Sequence, residues 1–209
     1  KKVSLMSYDP QPTASHFIDG AYVEDTNGTP IPVIYPATGE TIATLYAATP
    51  AIVEQAITSA RKAQAAWAAM TGTERGRILR RAADLYEENF GGIFATLARE
   101  AGKSLPDAVG ELREAVDFLH YYAAQGEALT ATPRGIITAS SPGNFPRAIF
   151  SGQIAAALMA GNAVWAKPAE QTPLIAAIAV RLLHQAGVPV SALQLLPGDG
   201  GTVGAALTS

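Results

Sequence analysis

Beyond Pro133 the chain alternates short apolar runs with helix-like segments, and this alternation constrains the fold more than any other feature. "GIITAS" (residues 135–140), "AVWAKP" (163–168) and "ALQLLPG" (192–198) are near-continuous apolar stretches of strand length. Between them lie "RAIFSGQIAAALMAG" and a segment opened by Thr172-Pro173 and closed by Gly187. Strands that are apolar throughout are buried on both faces, and helices are what cover such faces. The pattern predicts βαβ units, a parallel sheet and right-handed crossovers, so the fold class is α/β.

The segment before Pro133 reads differently. Residues 1–16 form an irregular lead-in. "FIDGAYVE" places a Gly turn between two strand-like runs, and "IPVIYPATGETIATLYAA" reads as strand, turn at Pro36–Glu40, strand. Thr49 as N-cap with Pro50 at the first helical position opens a helix. Its apolar face holds Ile52, Val53, Ala56, Ile57, Ala60, Ala63 and Trp67. A second helix is expected from Thr73, a third through Phe94 and Leu97 to about Gly102, and a fourth capped by Ser104. Three regions follow: hairpins and strands over 1–48, a helical segment over 49–132, and the first βαβαβ part of a sheet over 133–209.

With 48% hydrophobic and 16% charged residues the chain can build a sizeable core. A net charge of −3 without a basic block argues against nucleic acid and anionic membranes as partners. No apolar run approaches a membrane span, and the N-terminal residues make a poor signal peptide. The expectation is a cytoplasmic protein. No cysteine is present, so disulfides, thiolate metal sites and a thiol nucleophile are excluded within these residues. His16, His120 and His184 show no metal-ligand spacing, and no metal is expected.

Three segments fall at the carboxyl ends of the predicted parallel strands, where ligands of such sheets bind. "GDGGTVG" sets glycines at 198, 200, 201 and 204 in a strand-to-helix turn whose free N–H groups suit a phosphate; the other reading is a tight turn. "KPAEQTP" places Lys167 and Glu170 where they can meet sugar hydroxyls, or form a solvated surface pair. In "SSPGNFP", Asn144 either caps the next helix or offers its amide to an oxyanion, beside a Phe145 expected to be buried. Glu111 and Glu114 share a helix face and read as solvated.

Together these residues resemble the NAD(P)-dependent aldehyde dehydrogenase superfamily, from Phe17 onward. "FIDGAYVE…YPATGETIA" is similar to the family's N-terminal hairpins. "AIVEQAITSARKAQAAWAAMTGTERGRILRRAADL" is similar to betaine-aldehyde dehydrogenases, and "REAGKSLPDAVGELREAVDFLHYYAAQ" with "GQIAAALMAGNAVWAKPAEQTP" to the glutamate-semialdehyde dehydrogenase part of proline-catabolic enzymes.

The resemblance implies a truncated, doubly wound parallel sheet of the dinucleotide-binding type, preceded by β-hairpins and a helical segment. It implies NAD or NADP as cofactor and a small aldehyde as substrate. Asn144 would help hold the aldehyde oxygen, Ser140, Ser141 and Pro142 would line the cofactor, Lys167 and Glu170 would contact the adenosine ribose, and Gly200 and Gly204 would lie near the adenine and pyrophosphate. Gly143 stands where the family carries tryptophan. The family's cysteine nucleophile has no counterpart here, so the 209 residues are expected to be inactive alone. An alternative is a non-catalytic binding or oligomerisation module. Exposed strand edges lead us to expect homo-oligomers.

Overall fold

The computed structural model describes residues 16–18, 21–23 and 25–208. Two hairpins come first: β1 (His16–Ile18) pairs antiparallel with β2 (Ala21–Val23), and β3 (Pro30–Ile34) with β4 (Thr41–Tyr46). The turn expected at Gly20 lies outside the described residues, as does the lead-in up to residue 15. Its last residue, His16, belongs to β1.

Four helices follow: α1 (Pro50–Ala69), α2 (Gly72–Glu88), α3 (Phe90–Glu100) and α4 (Leu105–Glu127). Thr49 caps α1 and Ser104 caps α4, each through its hydroxyl. The second helix starts earlier than the expected Thr73. Thr71 is its N-cap: the Glu74 amide donates to Thr71 Oγ1 over 3.2 Å, and the Thr71 amide donates to Glu74 Oε2 over 2.7 Å. This reciprocal capping box satisfies two end donors and fixes the start.

The apolar runs then form β5 (Ile136–Ser140), β6 (Ala163–Lys167) and β7 (Leu193–Leu195), connected by α5 (Ala148–Met159) and α6 (Pro173–Ala186). β5, β6 and β7 are parallel neighbours, as the sequence pattern requires. The full order is β2-β1-β7-β6-β5. The first hairpin is thus not merely ahead of the sheet. Phe17 sits opposite Leu195, and β1 adds antiparallel to β7, which makes the sheet mixed. Phe17 and Ile18 are buried, so the hairpin covers an edge that β7 would otherwise expose.

The main core lies where α2, α4, α5 and α6 pack together and against the sheet. Leu79, Tyr86, Leu119, Phe150, Ile154 and Leu158 are among its fully buried members. Arg75 of α2 is buried there too, donating from Nε to Met159 O (3.2 Å) and from Nη1 to Trp67 O (3.4 Å), Ala68 O (3.3 Å) and Met70 O. One guanidinium therefore satisfies carbonyls at the ends of both α1 and α5, groups that a helix leaves without internal partners. Gly161 takes φ 82° just after α5, the left-handed stop expected from sequence.

Candidate functional site

The carboxyl ends of β5, β6 and β7 lie side by side. The Ser141 amide donates to Lys167 O over 3.2 Å, continuing the β5–β6 pairing one residue past the strands. Ser140 and Pro142 are exposed and Ser141 is buried. After β7 the chain turns at Gly198 and enters a π-turn over Gly200–Gly204, in which the Gly204 amide donates to Asp199 O over 3.0 Å.

Lys167, Glu170, Gly200 and Gly204 meet at this turn. Lys167 Nζ donates to Gly198 O over 2.8 Å and to Pro168 O over 3.2 Å. The Gly200 amide donates to Glu170 Oε1 over 3.3 Å. A Cβ added at Gly204 would stand 3.5 Å from Lys167 Cε. At Gly198 a Cβ would fall 2.2 Å from Val203 Cγ2, so only glycine allows the turn to close onto that side chain. At Gly200 a Cβ would meet nothing within 4 Å. The glycine there leaves an open approach to backbone amides.

The electrostatics follow from the packing. Lys167 is only 5% exposed, and burial pulls its ammonium below the ordinary lysine value against the opposing fields of Glu170 and Asp199. Asp199 is held below the usual carboxylate range, first by the Thr202 hydroxyl and then by the Thr202 amide. Its side chain thereby caps the turn itself.

Asn144 stands in a second, adjoining environment. It borders a cavity of about 430 Å³ walled by Pro32 and Ile34 of β3, by Glu100, and by Gln171 and Thr172. Asn144 is not the cap of α5: that helix has no side-chain cap from its own flank. Glu111 Oε2 accepts instead from the Arg147 and Ala148 amides, at 3.2 and 2.9 Å. The capping alternative for Asn144 is overturned, and the residue is exposed and lines the cavity. Phe145 is 40% exposed rather than buried; Lys103 Nζ lies 4.5 Å from its ring centroid, which gives an exposed ring a favourable partner.

Glu111, expected to be solvated, is 2% exposed. Glu100 was not singled out from sequence at all. Its carboxylate accepts from the Leu174 and Ile175 amides at 2.6 and 2.9 Å and so caps α6. Burial pushes this carboxyl up to about 8, while the two amides act in the opposite direction. A signal was present: Glu100 ends α3, and an acid at a helix C-terminus opposes the macrodipole unless another partner holds it. Glu100 and Glu111 close the N-termini of α6 and α5 to an anion. At the turn after β7 the exposed Glu170 and the half-buried Asp199 accept from the Gly200 and Thr202 amides, so this start too carries carboxylates, but ones that solvent reaches.

A profile of the aldehyde dehydrogenase family matches residues 22–209. The chain belongs to the aldehyde dehydrogenase family. It is 54% identical over 183 residues to the bifunctional protein PutA of Klebsiella aerogenes, a match covering 85% of this chain and 14% of that protein. It is 42% identical over 205 residues to betaine aldehyde dehydrogenase of Rhizobium leguminosarum bv. trifolii, covering 90% of this chain and 42% of the relative. Each likeness runs over most of the chain. Among solved structures, a 1-pyrroline-5-carboxylate dehydrogenase from Thermus with bound NAD superposes at a TM-score of 0.85 and 31% identity, over 92% of this chain and 40% of that one. An aldehyde dehydrogenase from Brucella melitensis biovar abortus gives 0.89 and 33%, over 94% and 44%. The chain thus spans less than half the length of these aldehyde dehydrogenase relatives. Among the described residues no helix is long and apolar enough to cross a membrane, and no cluster of three or more metal-ligating side chains is present.

Proposed function

We propose that this chain is the cofactor-binding and oxyanion-holding portion of a cytoplasmic NAD(P)+-dependent aldehyde dehydrogenase, which oxidises a small aldehyde to a carboxylic acid. The observation that carries the reading is the convergence of Lys167, Glu170 and the Gly198–Gly204 turn at the ends of β6 and β7, in a chain of this family.

The residues fit a dinucleotide. Glu170 is exposed and can accept from a ribose hydroxyl. Lys167 donates two of its three N–H groups to Pro168 O and to Gly198 O, and the third is suited to a sugar oxygen. Gly200, with open space where a side chain would stand, lets a phosphate approach the backbone. Ser140, Ser141 and Pro142, at and just past the end of β5, are read as lining the cofactor on that side. When bound, the nicotinamide supplies a hydride acceptor.

Asn144 presents an amide donor at the carboxyl end of β5, where it stabilises the oxygen of an aldehyde as negative charge develops on it. A donor held in place before reaction needs no reorganisation at that moment. The 209 residues contain no cysteine, so on this reading a thiol nucleophile is supplied from outside them.

The test is direct. Purified chain is given betaine aldehyde or glutamate semialdehyde with NAD+ or NADP+, and reduced cofactor is followed by absorbance. No turnover is expected. Robust reduction that Asn144→Ala abolishes would show that these residues hold a nucleophile of another kind, and the proposed division of labour would be wrong.

A further inference from the structure

The peptide that carries Asn144 is flanked by one ion pair between a half-buried lysine and a buried glutamate. Lys103 Nζ lies 3.1 Å from Glu111 Oε1. The other carboxylate oxygen accepts from the Arg147 and Ala148 amides, three and four residues after Asn144. The same ammonium sits over the ring of Phe145, the residue next to Asn144. Lys103 follows α3 and Glu111 belongs to α4, so both clamp residues come from outside the β5–α5 connection that they hold.

The local sequence explains why a clamp is needed. The connection Ser141–Arg147 has no regular structure of its own beyond a turn, and the flank of α5, with Arg147 at the N-cap position, supplies no side-chain cap. Gly143 adds freedom just before Asn144. An amide meant to hold an oxyanion must be fixed to within about half an ångström. A carboxylate that accepts two amide N–H groups while paired with an ammonium supplies strong, charge-assisted bonds at this point.

We propose that Lys103 and Glu111 are positioning residues for Asn144, a role that rests on the oxyanion reading of Asn144 above. Glu111 sets where α5 starts, and Lys103 sets the direction of Phe145 and hence of the peptide before it. Neither side chain needs to touch substrate.

The experiment compares 15N-labelled chain with Glu111→Ala, Glu111→Gln and Lys103→Met. Amide exchange is read at Arg147 and Ala148, and side-chain NH2 resonances and relaxation at Asn144. Glu111→Ala should accelerate exchange at both amides by at least about tenfold and should shift and mobilise the Asn144 side chain. Glu111→Gln keeps an acceptor and should restore most of the protection. Lys103→Met should leave the amides protected but still move the Asn144 and Phe145 signals. Amides within α2 serve as the control for global loosening. If Asn144 is unchanged in both Glu111→Gln and Lys103→Met, the pair is a helix cap only and the proposal fails, even where Glu111→Ala does not fold. No substrate enters these readouts, so they stand or fall separately from the oxyanion role.

Discussion

Lys167 Nζ and Gly198 O are joined by a 2.8 Å hydrogen bond that ties the end of β6 to the turn after β7. The bond determines how the candidate cofactor site is shaped before any ligand arrives. Lys167→Met keeps an unbranched, nearly isosteric side chain but removes both of these hydrogen bonds. We expect a loss of about 1–3 kcal/mol in unfolding free energy by urea titration, with faster amide exchange at Gly200 and Gly201. Unchanged stability and exchange would mean that the turn holds itself through Asp199 and Thr202.

Stability should fall on the alkaline side because of Glu100. Its folded value is raised to about 8, above an ordinary carboxyl, so the folded state keeps a proton that the unfolded chain has released. Stability therefore decreases as pH rises from about 4.5 to 8. Denaturant midpoints between about pH 6.5 and 9, above the range in which the histidines act, should show this slope, and Glu100→Gln should flatten it. A wild-type chain with no slope in that range would show that the two α6 amides outweigh burial.

On the acid side the sign reverses. Burial pushes both His16 and His184 down to about 4, so the unfolded state takes up protons that the folded state refuses. Stability is present above about 6.5 and lost as pH falls toward 4. His184→Gln should weaken the acid dependence; an identical acid limb in this variant would contradict the assignment for His184.

Much of this architecture was legible in the sequence because it depends on local pattern. Continuous apolar runs, Thr49-Pro50, Ser104 and Gly161 each act within a few residues, and each was placed correctly. What escaped depends on partners distant in the chain. Glu100 reaches α6 across 74 positions and Glu111 reaches α5 across 36. A buried carboxylate and a solvated one look the same in a helix-face pattern. The exposure of Phe145 is not readable from local pattern, because its partner, Lys103, comes from the α3–α4 connection. The β1–β7 pairing rests on three-residue strands, too short for periodicity to signal.

The open edge of the sheet gives a prediction about assembly. β5 pairs with β6 alone among the described residues. Gly135 O faces β6, and strand alternation then turns the backbone groups of Ile136, Thr138 and Ser140 outward. Such an edge is a template for another chain. Light scattering over a concentration series should show dimers or larger species. A monodisperse monomer with slow exchange at Ile136 and Thr138 would mean that the edge is covered within one chain.

Arg75 provides a test of how α5 is anchored at its other end. Arg75→Ala removes donors from carbonyls of α1 and α5 together and leaves them buried. We expect a loss of about 3 kcal/mol or more in the unfolding free energy, with Arg75→Lys intermediate. A loss below about 1 kcal/mol would show that water replaces the guanidinium there.

The measurement closest to the central claim is an NMR titration of labelled chain with NAD+ and NADP+. The 209 residues span less than half the length of the aldehyde dehydrogenase relatives, so we expect affinity to be weak and visible only near millimolar ligand. The account predicts saturable shifts at Glu170, Gly200, Gly201 and Ser140, abolished by Lys167→Met. Shifts elsewhere, or none at about 10 mM of either dinucleotide, would contradict it.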